Sequence, residues 1–138
     1  MGDKVNEAVL YSRVRKRAKE RGWFFMRVEN ACERGTPDLF LMRHICGVVF
    51  PLWIECKTAN TSETENRPLT GMDISQDQKR WHSEFTRLSG LVSYFLIQVG
   101  SGKKARRYLV PGDWVSRHNY LTESLLKIQD TMWKFNVC

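Results

Sequence analysis

A chain of 138 residues, 42% of them hydrophobic and 27% charged, has enough apolar sequence for one domain with a real core and too little for two. Its 22 lysines and arginines against 15 acids leave a net charge of +7, which points to a polyanionic partner, nucleic acid ahead of an anionic membrane surface. No apolar run reaches membrane-spanning length, no signal-peptide core opens the chain, and Cys32, Cys46, Cys56 and Cys138 lack any C-x-x-C spacing. The expectation is a soluble intracellular protein without a zinc site or a disulfide framework.

Residues 4–21 read as a helix with an apolar stripe of Val5, Ala8, Val9, Tyr11, Val14 and Ala18, an N-cap at Asp3 and a stop at Gly22. Its other side carries Arg13, Arg15, Lys16, Arg17, Lys19 and Arg21, either a solvated face or a strip for phosphates. Glu7 sits at the edge of the stripe, where a surface acid near the helix N-terminus is one reading. Residues 23–30 follow as a strand, with Trp23, Phe24 and Phe25 expected in the core, and 31–35 as a polar turn containing Arg34.

The centre of the chain is a hairpin. Residues 38–45 and 48–57 are runs rich in β-branched and aromatic side chains, separated by Cys46-Gly47. A two-residue loop there sets Ile45 opposite Val48 and, by constant sum, Asp38 opposite Glu55, with Cβ atoms roughly 4.5–5.5 Å apart. Alternation puts Trp53, Glu55 and Lys57 on one face and Leu52, Ile54 and Cys56 on the other. Two carboxylates held together repel unless a cation shares the site, and a hard divalent ion with oxygen ligands answers that need. A lysine beside them would orient or deprotonate a water, or offset charge on a phosphate.

Residues 58–74 turn polar and lose periodicity, which reads as a long loop leaving directly from Lys57, a flap or an insertion. Ser75 is the N-cap type for a second helix through Leu88, with Trp81, Phe85 and Leu88 on its apolar face, Gln78 heading that face and His82 at the surface. Residues 91–99 form a buried strand near the sheet centre. A basic turn at 100–107 leads into Tyr108-Leu109-Val110, a short helix starts at Pro111-Gly112-Asp113, and 121–135 reads as a last helix.

Pro37-Asp38, a hairpin, then Glu55-Cys56-Lys57 resembles the signature of the PD-(D/E)XK nuclease superfamily. Gly35-Thr36-Pro37-Asp38 with Trp53-Ile54-Glu55-Cys56-Lys57 is similar to its VRR-NUC branch, and the likeness runs from Glu7 to Gly100. The resemblance implies an α/β fold with a restriction-endonuclease-like core. In it, helices flank a central mixed sheet of about four strands in α-β-β-β-α-β order. Residues 1–110 would be the nuclease core domain and 111–138 a C-terminal helical extension packed on it. By resemblance, Asp38, Glu55 and the Cys56 backbone carbonyl bind Mg²⁺, or Mn²⁺ as a substitute. Lys57 and Gln78 handle the water, Glu7 serves a second metal, and the products are a 5′-phosphate and a 3′-hydroxyl. Arg13, Arg17, Arg34, Lys79, Lys103, Lys104, Arg106 and Arg107 are the expected DNA contacts.

The expected activity is metal-dependent endonucleolytic hydrolysis of DNA. Stand-alone domains of that branch include Holliday junction resolvases, many of them phage-encoded, which act as homodimers because two opposed strands are cut. The expected partners are therefore branched DNA and a second copy, in a bacterial cytoplasm. The alternatives are a restriction or repair nuclease, a DNA-binding module with a vestigial site, and a phage structural or packaging protein.

Overall fold

Cys46 and Gly47 both take positive φ, 51° and 82°, the pair a tight I′ hairpin turn demands, and the strands on either side register from that turn. The computed structural model describes residues 7–29 and 34–137. The expected cap at Asp3, the stripe residue Val5 and the turn residues Ala31, Cys32 and Glu33 lie outside the described residues.

Helix α1 (Glu7–Glu20) leads into strands β1 (Phe24–Arg27), β2 (Leu39–Ile45) and β3 (Val48–Ala59). Helix α2 (Gln76–Ser89) then crosses to β4 (Tyr94–Val99) and β5 (Arg106–Pro111), and α3 (Gly112–Ser116), α4 (Glu123–Gln129) and α5 (Met132–Phe135) follow. The strands form one sheet in chain order, antiparallel except for β3 with β4, the pair that the α2 crossover joins. The fold is thus mixed α/β with a five-stranded sheet. The strand beyond the expected four is β5, whose Tyr108, Leu109 and Val110 pair with Ile97, Leu96 and Phe95.

Period-2 alternation divides the core between the two faces. Leu52, Ile54, Cys56, Tyr94 and Leu96 pack with Leu10, Val14 and Ala18 of α1 and with Val137; Phe95, Ile97, Val99 and Val110 pack with Val115, Leu121 and Leu126. The helix seat keeps Val14 and Ala18 of the expected stripe but takes Leu10 in place of Ala8 and Val9, both of which are exposed. Leu10, Val14 and Ala18, four apart, face the sheet, which leaves Val9, about 100° round the helix, in water. Phe24, expected in the core, is likewise exposed, because β1 is an edge strand and only Trp23 and Phe25 turn toward α1 and α5. In the same way β4 starts at Tyr94, leaving Leu91 and Val92 in water, and lies one strand in from the edge.

The 58–74 segment is not a free loop. Strand β3 continues through Ala59, and beyond it Asn60 pairs with Thr70 and Pro68 with Thr122. Leu69 N–H donates to the Leu121 carbonyl (2.8 Å), Ser124 N–H donates to the Glu65 carbonyl (3.0 Å), and Lys127 pairs with the Glu65 carboxylate. Leu69, Met72 and Ile74 supply the apolar side of this docking. The expected last helix is two short ones, because Asp130 and Thr131 leave the helix to cover the outer edge of β5. Asp130 accepts from Leu109 N–H (2.9 Å), and Thr131 N–H donates to the Leu109 carbonyl (2.7 Å). No helix among the described residues is long and apolar enough to cross a membrane.

Helix α2 has its expected N-cap at Ser75 but a different buried face. His82, expected at the surface, is fully buried, its Nδ1 2.6 Å from Ser93 Oγ and its ring 4.3 Å from that of Phe95, whereas Leu88 is exposed. Trp81 stacks on Phe85 at 4.9 Å and 9° and reaches Trp53 on β3, so the aromatic rings flank the histidine rather than centre the helix face. Burial pushes the His82 pKa down to about 3, so the folded ring is neutral. The unfolded ring titrates near 6.5, so the unfolded state takes up the extra proton below that pH. Stability from this group is complete above about pH 6.5 and falls by up to ~1.4 kcal/mol per pH unit as pH drops toward 3. In urea unfolding between pH 7 and pH 5, the wild type should lose stability relative to His82→Gln with that slope as pH falls below about 6.5.

Candidate active site

The β2–β3 ladder runs from Ile45↔Val48 to Leu39↔Ile54, so the next position in register sets Asp38 against Glu55, as the loop length requires. Strand β2 ends there while β3 runs on to Ala59, so from Glu55 onward that edge of β3 has no strand beside it. Glu55 and Lys57, aligned with Phe95 and Ile97 of β4, are 3% and 8% exposed. A glutamate and a lysine two apart in a central strand are therefore held in the interior, with Asp38 at the margin.

Burial raises the Glu55 pKa well above the usual carboxylate range, and the hydrogen bond and negative charge of Asp38 raise it further; Lys57 opposes this and Glu7 adds to it. Glu7, Asp38, Glu55 and Lys57 thus act on one another. Tyr11 links two of them. Its hydroxyl donates to Asp38 Oδ2 at 2.7 Å and lies 3.5 Å from Glu7 Oε2, and the Arg27 guanidinium sits over its ring at 4.8 Å. Half-burial, then the Asp38 hydrogen bond, raises the phenol pKa, so it stays a donor. Tyr11 stands four residues after Glu7 on the same helix face, the spacing that pairs them, but nothing in the sequence signals its bond to Asp38.

Gly35 explains how α2 reaches this end of the sheet. Its φ is +84°, and a Cβ there would lie 2.1 Å from the Asp77 carbonyl oxygen and 2.8 Å from Gln78 N, so the turn leading to Asp38 touches the helix start. Gln78 is thereby brought near the turn, but its side chain is engaged. Its Oε1 accepts from Ser75 N–H (3.0 Å) while Ser75 Oγ accepts from Gln78 N–H (3.1 Å), a capping box. Only its amide N–H groups are left to act toward the site.

The eight expected DNA-contact cations divide in two. Arg13, Arg34, Lys103 and Lys104 are exposed, and Arg17 is half-buried with a weak ion pair to Glu20. Lys79 instead donates to the His118 carbonyl (2.8 Å), Arg107 to Gln98 Oε1 (3.0 Å), and Arg106 forms a paired contact with buried Glu123, which also accepts from Tyr108. These three hold the fold together.

Among the described residues no three histidine, cysteine or carboxylate side chains lie close enough to hold a metal by themselves. The pair Asp38 and Glu55 nevertheless fits a hard divalent ion, which is usually held by one or two carboxylates with water and phosphate oxygens. A cation there would relieve the repulsion that burial imposes on Glu55. In its absence the folded state keeps a proton on Glu55 that the unfolded chain releases above about pH 4.5, so stability falls as pH rises from there. Glu55→Gln should therefore raise the melting temperature at pH 7 in chelator by roughly 3–8 °C, what 1–2 kcal/mol does in a domain of this size. Added Mg²⁺ or Mn²⁺ should raise the wild-type value and leave that of the variant unchanged in the same thermal scan.

No protein-family model and no curated protein matches the sequence. Among solved structures the fold is similar to Hjc, a Holliday junction resolvase from the archaeal hyperthermophile Archaeoglobus fulgidus, with a TM-score of 0.54 and 20% identity over 88% of this chain and 89% of that one. The likeness spans nearly the whole of both chains and establishes a restriction-endonuclease-like α/β architecture for this one.

Proposed function

We propose that this protein is a metal-dependent DNA endonuclease of the PD-(D/E)XK type, VRR-NUC-like in its Gly35-Thr36-Pro37-Asp38 and Trp53-Ile54-Glu55-Cys56-Lys57 segments, that cuts branched DNA. One observation carries the reading: the hairpin register presses Asp38 against buried Glu55 with Lys57 two residues on, at the open end of a sheet built like that of a junction resolvase. A structural role for three ionisable groups there would cost stability without return.

Asp38, Glu55 and the Cys56 carbonyl would hold Mg²⁺, with Mn²⁺ as a substitute. Bound there, the ion would polarise a phosphoryl oxygen and lower the pKa of a water. Lys57 offsets charge that builds on the phosphate and orients the water. Tyr11 fixes the Asp38 carboxylate by its hydrogen bond, as outer partners of metal ligands do. Glu7, linked to Asp38 through Tyr11, would serve a second ion, and the free amide of Gln78 would donate to the water or the phosphate. Arg13, Arg17, Arg34, Lys103 and Lys104 would contact the DNA backbone, a role that leaves sequence unread.

A resolvase must cut two opposed strands, which a homodimer does by symmetry. Phe24, Met26, Met42 and Val49 leave apolar sheet surface in water beyond the rings of Phe40 and Trp53, on the side away from α1. A second copy laid on it would bury that surface. Light scattering should then give twice the 16.2 kDa chain mass, and Met42→Glu should return it to the single mass.

Cleavage of a labelled four-way junction and a matched duplex, each with Mg²⁺, Mn²⁺ or chelator, tests the activity. Paired nicks confined to the junction, lost in chelator and in Asp38→Ala, are expected. Lys57→Ala should cost roughly 10²–10⁴-fold in rate, and Tyr11→Phe about 10–100-fold. Equal cutting of duplex would make it a restriction or repair nuclease, and tight binding with no cleavage in any metal a DNA-binding module.

A further inference from the structure

At the end of the β2–β3 hairpin remote from Asp38, apolar side chains remain in water. Ile45 and Phe50 are 39% and 38% exposed. With Trp23, Arg43, Lys134 and Phe135 they line a cleft of about 220 Å³ between the hairpin and α5. Trp23 meets Phe135 edge-on at 6.5 Å, and the Arg43 guanidinium lies over the Trp23 ring at 5.8 Å. The buried indole Nε1 of Trp23 has no hydrogen-bond partner among the described residues.

The rim is cationic, and among the described residues the lining contains no carboxylate. Neither Arg43 nor Lys134 forms an ion pair among the described residues. The volume falls below the roughly 300–1,000 Å³ of sites for cofactors and drug-sized molecules, and it suits one large side chain. A nucleic-acid backbone would satisfy the two cations but leave the walls of Ile45, Phe50 and Phe135 wet. An aromatic or long aliphatic side chain flanked by carboxylates satisfies both, and Trp and Arg in a pocket are the residues that most often carry such binding.

We propose that this cleft docks an acidic peptide segment of a partner protein, one apolar side chain filling it while neighbouring carboxylates pair with Arg43 and Lys134. Arg43 stands five residues along β2 from Asp38, about 17 Å. A partner bound there leaves the carboxylate site open, so the contact recruits and does not inhibit. It stands whether or not the protein cuts DNA.

The test is fluorescence anisotropy of a labelled peptide of several aspartates ending in phenylalanine, beside the same peptide ending in serine and one with lysines for aspartates. Saturable binding of the first alone is expected, weakened about tenfold or more by Arg43→Glu and by Lys134→Glu. Phe50→Ser should weaken it without changing the salt dependence, and unchanged melting temperatures would show that the variants fold. Equal binding of the serine peptide, no saturation up to about 1 mM, or indifference to both charge reversals would overturn the proposal. Displacement of the peptide by a short oligonucleotide whose own affinity falls in the same variants would overturn it in favour of a nucleic-acid contact.

Discussion

The site depends on one constraint, the register of β2 on β3. A two-residue turn at Cys46-Gly47 permits only one antiparallel pairing, and a slip of one residue would exchange Leu52, Ile54 and Cys56 with Trp53, Glu55 and Lys57 across the sheet. That exchange would put an acid and an ammonium against Leu10, Val14 and Ala18 of α1 and three core side chains on the opposite face. The apolar core thus locks the register, and the register forces Asp38 onto Glu55. Repulsion at the site is sustained by hydrophobic burial elsewhere in the same strand.

The surroundings of the carboxylates follow from that repulsion. Tyr11 donates into Asp38, Lys57 faces Glu55, and Arg27 covers the phenol ring, so three side chains from α1, β3 and β1 counter negative charge that the fold itself has gathered. Each acts only in part, since Glu55 remains shifted upward with all of them in place. A site built for structural ends would be neutralised within the chain, as Glu123 is by Arg106 and Tyr108, which hold its pKa down. The contrast between these two buried glutamates is that one is compensated within the chain and the other is not, as the proposed cation site would require.

Period-2 patterns and turn chemistry made the hairpin legible in the sequence to the exact residue pair, because both are local. The Ser75 cap was legible for the same reason, whereas the consequence for Gln78 was not: the amide that heads α2 is drawn back to Ser75 by the capping box. The burial of His82 was not legible because helix seating is decided by the sheet, and Tyr11, a half-buried stripe residue as its spacing implies, gave no sign of its bond to Asp38. A stripe of three residues spaced four apart, Leu10, Val14 and Ala18, outweighs Val9, and Ser93 on the chain entering β4 gives one ring nitrogen of His82 a partner in the interior. The docking of 58–74 was hidden because its partners, Leu121 to Lys127, lie some fifty residues away and show no pattern of their own.

The docked segment has a mechanical consequence for the site. Lys57 lies two residues before Ala59, and the chain beyond is pinned by Asn60↔Thr70, Pro68↔Thr122 and the Glu65 contacts to α4. The short helices after Pro111 therefore brace the far end of the strand that carries Glu55 and Lys57, while α1 packs on its middle through Leu10, Val14 and Ala18 against Leu52, Ile54 and Cys56. Holding the strand at two places lowers the freedom of the charged side chains there, the preorganisation that the proposed electrostatic role would use. Cations such as Arg106 and Lys79 serve that bracing, so part of the basic excess of the chain is engaged within the fold, and only the exposed fraction is left for the proposed DNA contact.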